Sequence, residues 1–81
     1  GAYTALGVVF AKTGRGNDAL DAWKRAVTID GSDFNAMFNL ISGLAQSGRV
    51  DEARQYGERF VNTAPPQLAA EIAAVKRLLG R

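Results

Sequence analysis

Leu6-Gly7-Val8-Val9-Phe10-Ala11-Lys12-Thr13-Gly14-Arg15 returns, 34 positions later, as Leu40-Ile41-Ser42-Gly43-Leu44-Ala45-Gln46-Ser47-Gly48-Arg49. That offset places Leu6 on Leu40, Ala11 on Ala45, Gly14 on Gly48 and Arg15 on Arg49, and further along it places Ala19 on Ala53, Arg25 on Arg59 and Val27 on Val61. Self-similarity at this period is the mark of a helix-turn-helix solenoid, in which each hairpin needs a stacked neighbour to bury its apolar face. The same shift carries Phe34 onto Leu68, Phe38 onto Ile72, Ile41 onto Val75 and Leu44 onto Leu78, so the C-terminal segment reads as a third first-helix without its partner. The expected fold is therefore all-α: an α-α superhelix of two helical hairpins, residues 1–33 and 34–67, closed by a helix in 68–81.

Local chemistry predicts helices over 2–13, 17–29, 34–46, 51–63 and 66–79. Gly14 and Gly48 suit the left-handed conformation that ends a helix, and Asn17 and Asp51 are candidate caps for the helices that follow. Ser32 or Asp33 is the corresponding cap for the third helix. Pro65 stops the fourth, and Pro66 suits the first turn of the fifth, where its missing N–H costs nothing. Apolar residues recur at three- and four-residue steps, as Tyr3, Leu6 and Phe10, then Leu20, Trp23 and Val27, then Met37, Leu40 and Leu44, which makes each helix amphipathic.

The 81 residues are 47% hydrophobic, with ten basic and eight acidic residues interspersed for a net charge of +2. With no cysteine or histidine, the chain has no disulfide, no thiolate or imidazole metal site, and no nucleophile that relies on a histidine base. No cofactor and no metal is expected, and the segment reads as non-catalytic. Its apolar runs fall well short of the roughly 18 residues of a membrane span, so a soluble chain with no membrane partner is expected. A first residue that is Gly and already lies inside a helical pattern points to a piece of a longer chain.

Several patterns have bland explanations. Gly14-Arg15-Gly16-Asn17-Asp18-Ala19 fits a dinucleotide-binding fingerprint, but a helix precedes it where a buried strand is required, and the turn recurs at Gly48-Arg49. Asp30-Gly31-Ser32-Asp33-Phe34-Asn35 has its glycine in the wrong place for a calcium loop and no closing glutamate. Asp18 with Asp21, and Asp51 with Glu52, sit at helix starts, where negative charge favours the macrodipole. Lys76, Arg77 and Arg81 gather at a helix C-terminus with no aromatic platform for stacking bases, so no nucleic-acid partner is expected.

Nearly the whole chain resembles the tetratricopeptide repeat family. Tyr3, Leu6-Gly7, Phe10, Gly14, Ala19, Trp23 and Ala26 fall where that family places its aromatic, Leu-Gly, aromatic, Gly, Ala, aromatic and Ala positions, with Gly31 in place of the closing Pro. The second repeat keeps Leu40, Gly48, Ala53 and Pro65, but has Ile41 for Gly, Gly57 for the aromatic and Phe60 for Ala. The change from Trp23 with Ala26 to Gly57 with Phe60 reads as a volume-conserving exchange one helical turn apart, and Gly57 is expected to make room for Ile41.

The resemblance implies a protein-interaction scaffold whose first helices line a concave groove for a protein or peptide. Carried over position by position, that groove takes Thr4, Val8, Ala11 and Lys12 from the first repeat and Asn35, Phe38, Asn39, Ser42 and Gln46 from the second. Ala69, Ile72 and Lys76 come from the closing helix. Phe38 is its large anchor, unless it simply packs on Ile72, and Asn39 is able to bond an extended backbone. Family members that grip a chaperone's C-terminal carboxylate use Lys and Asn where this chain has Thr4 and Val8, and Lys and Arg where it has Ala69 and Ala73, so that ligand is not expected. Asp51 to Gly80 also resembles the C-terminal tail repeat of some bacterial multidomain proteins, sulfatase-like hydrolases among them, which implies an alternative role as a structural or oligomerisation module of a larger enzyme. A first helix with nothing stacked on it is further expected to favour a homodimer through the terminal helices.

Overall fold

Three turns close by the same hydrogen bonds. Gly14, Gly48 and Gly80 have φ of 79°, 77° and 80°, and the amide after each reaches back five residues: Arg15 N–H to the Phe10 carbonyl (2.8 Å), Arg49 to Leu44 (2.9 Å) and Arg81 to Lys76 (2.8 Å). This left-handed closure satisfies carbonyls that a helix end leaves open, and only glycine adopts it without strain. A computed structural model describing residues 1–81 has α1 (Ala2–Lys12), α2 (Gly16–Ile29), α3 (Phe34–Gln46), α4 (Val50–Thr63) and α5 (Ala69–Leu78), with a single 3-10 turn at Pro66–Leu68; the Gly14 turn joins α1 to α2, the Gly48 turn joins α3 to α4, and the Gly80 turn ends α5. Each helix packs on its successor, and α3 also meets α5. The arrangement is all-helical, with no strand, and no helix is long and apolar enough to cross a membrane.

The caps differ in part from expectation. Asn17 and Asp51 do not cap; α2 and α4 begin one residue earlier than predicted, behind Arg15 and Arg49, with no side-chain cap bond at either start. The glycine turn re-enters helix at once, so these side chains fall inside the first turn. The arginines take over the junction. Arg15 Nε donates to Asp18 at 2.8 Å and Arg49 Nε to Glu52 at 2.8 Å, each tying the turn to the next helix. Asp33 does cap α3, accepting from the Ala36 amide at 3.0 Å, whereas Ser32 bonds Asp30 through both its amide and its hydroxyl. The predicted 66–79 helix splits: Ala64 is extended (ψ 140°), as a residue before proline must be, and Pro66–Leu68 forms the 3-10 turn before α5.

The core centres on α3. Met37, Leu40, Ile41 and Leu44 are sealed there by Leu20 and Val27 of α2, Phe60 of α4 and Val75 of α5. Helix α1 buries only Gly7. A Cβ on Gly7 would overlap the indole of Trp23, whose Nε1 donates to the Thr4 carbonyl at 3.2 Å. The second hairpin is built the other way round, with bulk from Ile41 on its first helix and Gly57 on its second. Gly57 does not serve Ile41, as the sequence suggested: the atoms nearest a Cβ there are Leu79 Cδ2 (3.2 Å) and Val75 Cγ1 (3.3 Å), so the notch receives the closing segment. Phe60, in place of Ala26, meets Phe34 edge-on at 6.0 Å and Phe38 at 5.9 Å between centroids.

Candidate functional site: a neutral cleft between the first helices

Where α1 and α3 diverge, a cleft of about 340 Å³ opens above the start of α2. Leu20 and Trp23 form its floor, Ala11 one wall, and Asn39, Ser42 and Gln46 the other. The opening exists because residues around it lack bulk: Gly14, Gly16 and Gly43 border it. Gly43 also lets α2 approach, since a Cβ there would come within 2.7 Å of Leu20 Cδ2 and 3.4 Å of the Trp23 ring. Asn39, Ser42 and Gln46 lie on successive turns of α3, on the side away from Met37 and Leu40, which places three polar groups in a row along the cleft.

No charged residue borders this space. The side chains of Asn39, Ser42 and Gln46 are not engaged in hydrogen bonds within the chain. An amide offers both donors and acceptors and a hydroxyl offers one of each, so the row matches the alternating N–H and C=O groups of a peptide backbone.

The residues expected to line one groove separate into groups. Asn39, Ser42 and Gln46 come together with Ala11. Thr4 does not face the cleft: its hydroxyl donates to Asp33, linking α1 to the start of α3. Val8, Phe38 and Ile72 are half-buried and pack on the core, and Phe38 lies against Phe60 in place of standing out as an anchor. Lys12, Asn35 and Lys76 are exposed and lie outside the cleft. Sequence reasoning missed the floor, Leu20 and Trp23, because both belong to a second helix, and it missed Gly43. The signal was present in Gly43 itself, a glycine in the middle of an amphipathic helix, which calls for a close-packing reason.

Charge is concentrated instead at the hairpin junction. Lys24 Nζ reaches Glu52 at 2.7 Å while Arg49 holds the other carboxylate oxygen at 2.7 Å. Hydrogen bonds from Lys24 and then Arg49 hold the Glu52 carboxyl below the usual glutamate range, and those from Ser32 lower Asp30. No group of three acidic residues gathers in a way that could hold a metal ion. Neither a scan against protein-family models nor a search of curated proteins returned a match.

Proposed function

We propose that this chain is a tetratricopeptide-type module that binds an extended segment of a protein partner along its first helices. The supporting observation is the row of Asn39, Ser42 and Gln46, free of internal hydrogen bonds, above an apolar floor of Leu20 and Trp23. The neutral lining favours a segment that is uncharged where it enters and inserts one small apolar side chain over the indole, since a charge placed there would lose water without gaining a counter-ion. The role is binding and not catalysis.

The test is a selection from a random peptide library on the immobilised chain, followed by titration of selected peptides into 15N-labelled protein. Backbone and side-chain amide shifts are expected to concentrate on Asn39, Ser42, Gln46 and the Trp23 indole. Asn39→Ala is expected to weaken a selected peptide by about 1–2 kcal/mol, roughly tenfold. Shifts confined to α4 and α5, or selected peptides carrying a common charge, would overturn the reading.

A further inference from the structure

The two walls of the cleft, α1 and α3, are joined by one hydrogen bond. Thr4 Oγ1, in the first turn of α1, donates to Asp33 Oδ2, while Asp33 Oδ1 accepts from the Ala36 amide at 3.0 Å and so caps α3. The Asp33 side chain is 16% exposed, and the Gly1 amine stands 4.0 Å from it, beyond hydrogen-bond reach. Thr4 also holds the floor, because its carbonyl accepts the Trp23 indole N–H at 3.2 Å. One residue of α1 is thus tied to both the opposite wall and the floor, at the end of the helix away from the opening. From Thr4 to Ala11 the helix rises about 10.5 Å, so a rotation of about 10° around this tie would move the Ala11 wall by about 2 Å.

The second junction supplies a comparison within the same molecule. In register, Thr4, Trp23 and Asp33 become Phe38, Gly57 and Gln67. The hydroxyl, the indole and the carboxylate are all lost there, and Phe38 packs on Phe60 instead. No cavity opens between Ala45 of α3 and Ala73 or Lys76 of α5, the positions equivalent to Ala11, Asn39 and Ser42. Tie and cleft are present together at one junction and absent together at the other.

We infer that Thr4 and Asp33 are positioning residues for the cleft: they touch no ligand, but hold the α1 wall and the Trp23 floor at the spacing in which a peptide segment binds. A hydrogen bond to a carboxylate in a partly buried place is stronger than a neutral pair. Its loss lets the α1 wall sample a wider range of positions, and affinity falls with the fraction of molecules in the binding-competent one. The inference rests on the peptide-binding reading above, yet it is separable from it, since the Trp23 indole reports on the tie with no ligand present.

The experiment compares Thr4→Val, which removes the hydroxyl and keeps the outline of the side chain, with Thr4→Ser, which keeps the hydroxyl. Two quantities are read for each: hydrogen exchange of the Trp23 indole N–H relative to the α3 backbone amides, and the Kd of a library-selected peptide. Thr4→Val is expected to exchange about tenfold faster and to bind about tenfold more weakly, with Thr4→Ser close to the native chain in both. Asp33→Ser still caps α3 but is too short to reach Thr4, so it is expected to match Thr4→Val, and combining the two should add little. Native exchange or native affinity in Thr4→Val, equal losses in Thr4→Ser, or additive losses in the double variant would each overturn the inference. Should no selected peptide bind the cleft, the peptide reading fails, and the tie stands or falls on the exchange comparison.

Discussion

The two hairpins share a register and a turn, yet they fill the space between their helices with bulk at different positions. In the first, Gly7 yields to Trp23, and the indole spans from the Thr4 carbonyl to the edge of the cleft. In the second, Ile41 carries the bulk on α3, Gly57 yields to α5, and Phe60 fills the space beside Phe34 and Phe38. The difference follows from what lies on each side. Helix α3 has α2, α4 and α5 packed against it and can bury a branched side chain, whereas α1 packs mainly on α2 and obtains its anchoring from one large ring laid against its backbone. Close packing conserves local volume without specifying which helix supplies it.

The most severe way to break this comparison is to remove the bulk. Phe60→Ala is expected to cost about 3–5 kcal/mol, a large share of the about 4–12 kcal/mol typical of a domain this size, and urea melts should show a destabilised or unfolded chain. Adding bulk where the first hairpin has none comes next. Gly7→Ala should destabilise by about 2–3 kcal/mol through displacement of Trp23. In that background Trp23→Phe should cost less than in the native chain, a coupling measurable by a double-mutant cycle. The same substitution in the second hairpin should be mild. Gly57→Ala gains about 1 kcal/mol of helix propensity but meets Leu79 and Val75 at 3.2 and 3.3 Å, so the Tm is expected not to rise. The smallest effect concerns the junction charge. Because Glu52 titrates below its ordinary value of 4.5, its contribution is present above that value and fades as the pH falls through the lowered one. Stability of Glu52→Gln should therefore decline less steeply in acid, as read from urea midpoints against pH.

The repeat, its turns and the amphipathic helices were legible in the sequence because each depends on short-range chemistry: a glycine that tolerates positive φ, and apolar residues at helical spacing. The Asp33 cap was legible too, but the starts of α2 and α4 were not, since the arginine after Gly14 and after Gly48 closes one helix with its amide and ties down the next with its side chain, a dual role that residue type does not reveal. Helix α5 was expected from residue 66 but starts at Ala69, after the 3-10 turn at Pro66–Leu68, and Leu78, aligned with the sealed Leu44, is 53% exposed. The candidate site was half legible. Asn39, Ser42 and Gln46 follow from the face of one helix, but Trp23 and Leu20 enter through the spacing of α1 and α3, which is a property of three helices together.

The order of packing, each helix on its successor, also bears on how quickly the molecule forms. Nearly every contact joins residues within one hairpin or across one turn, so little loop entropy has to be lost before a contact forms. Chains of such low contact order fold in about microseconds to milliseconds. Either hairpin can serve as the starting point, and α3, packed against both, is where growth from the two ends meets.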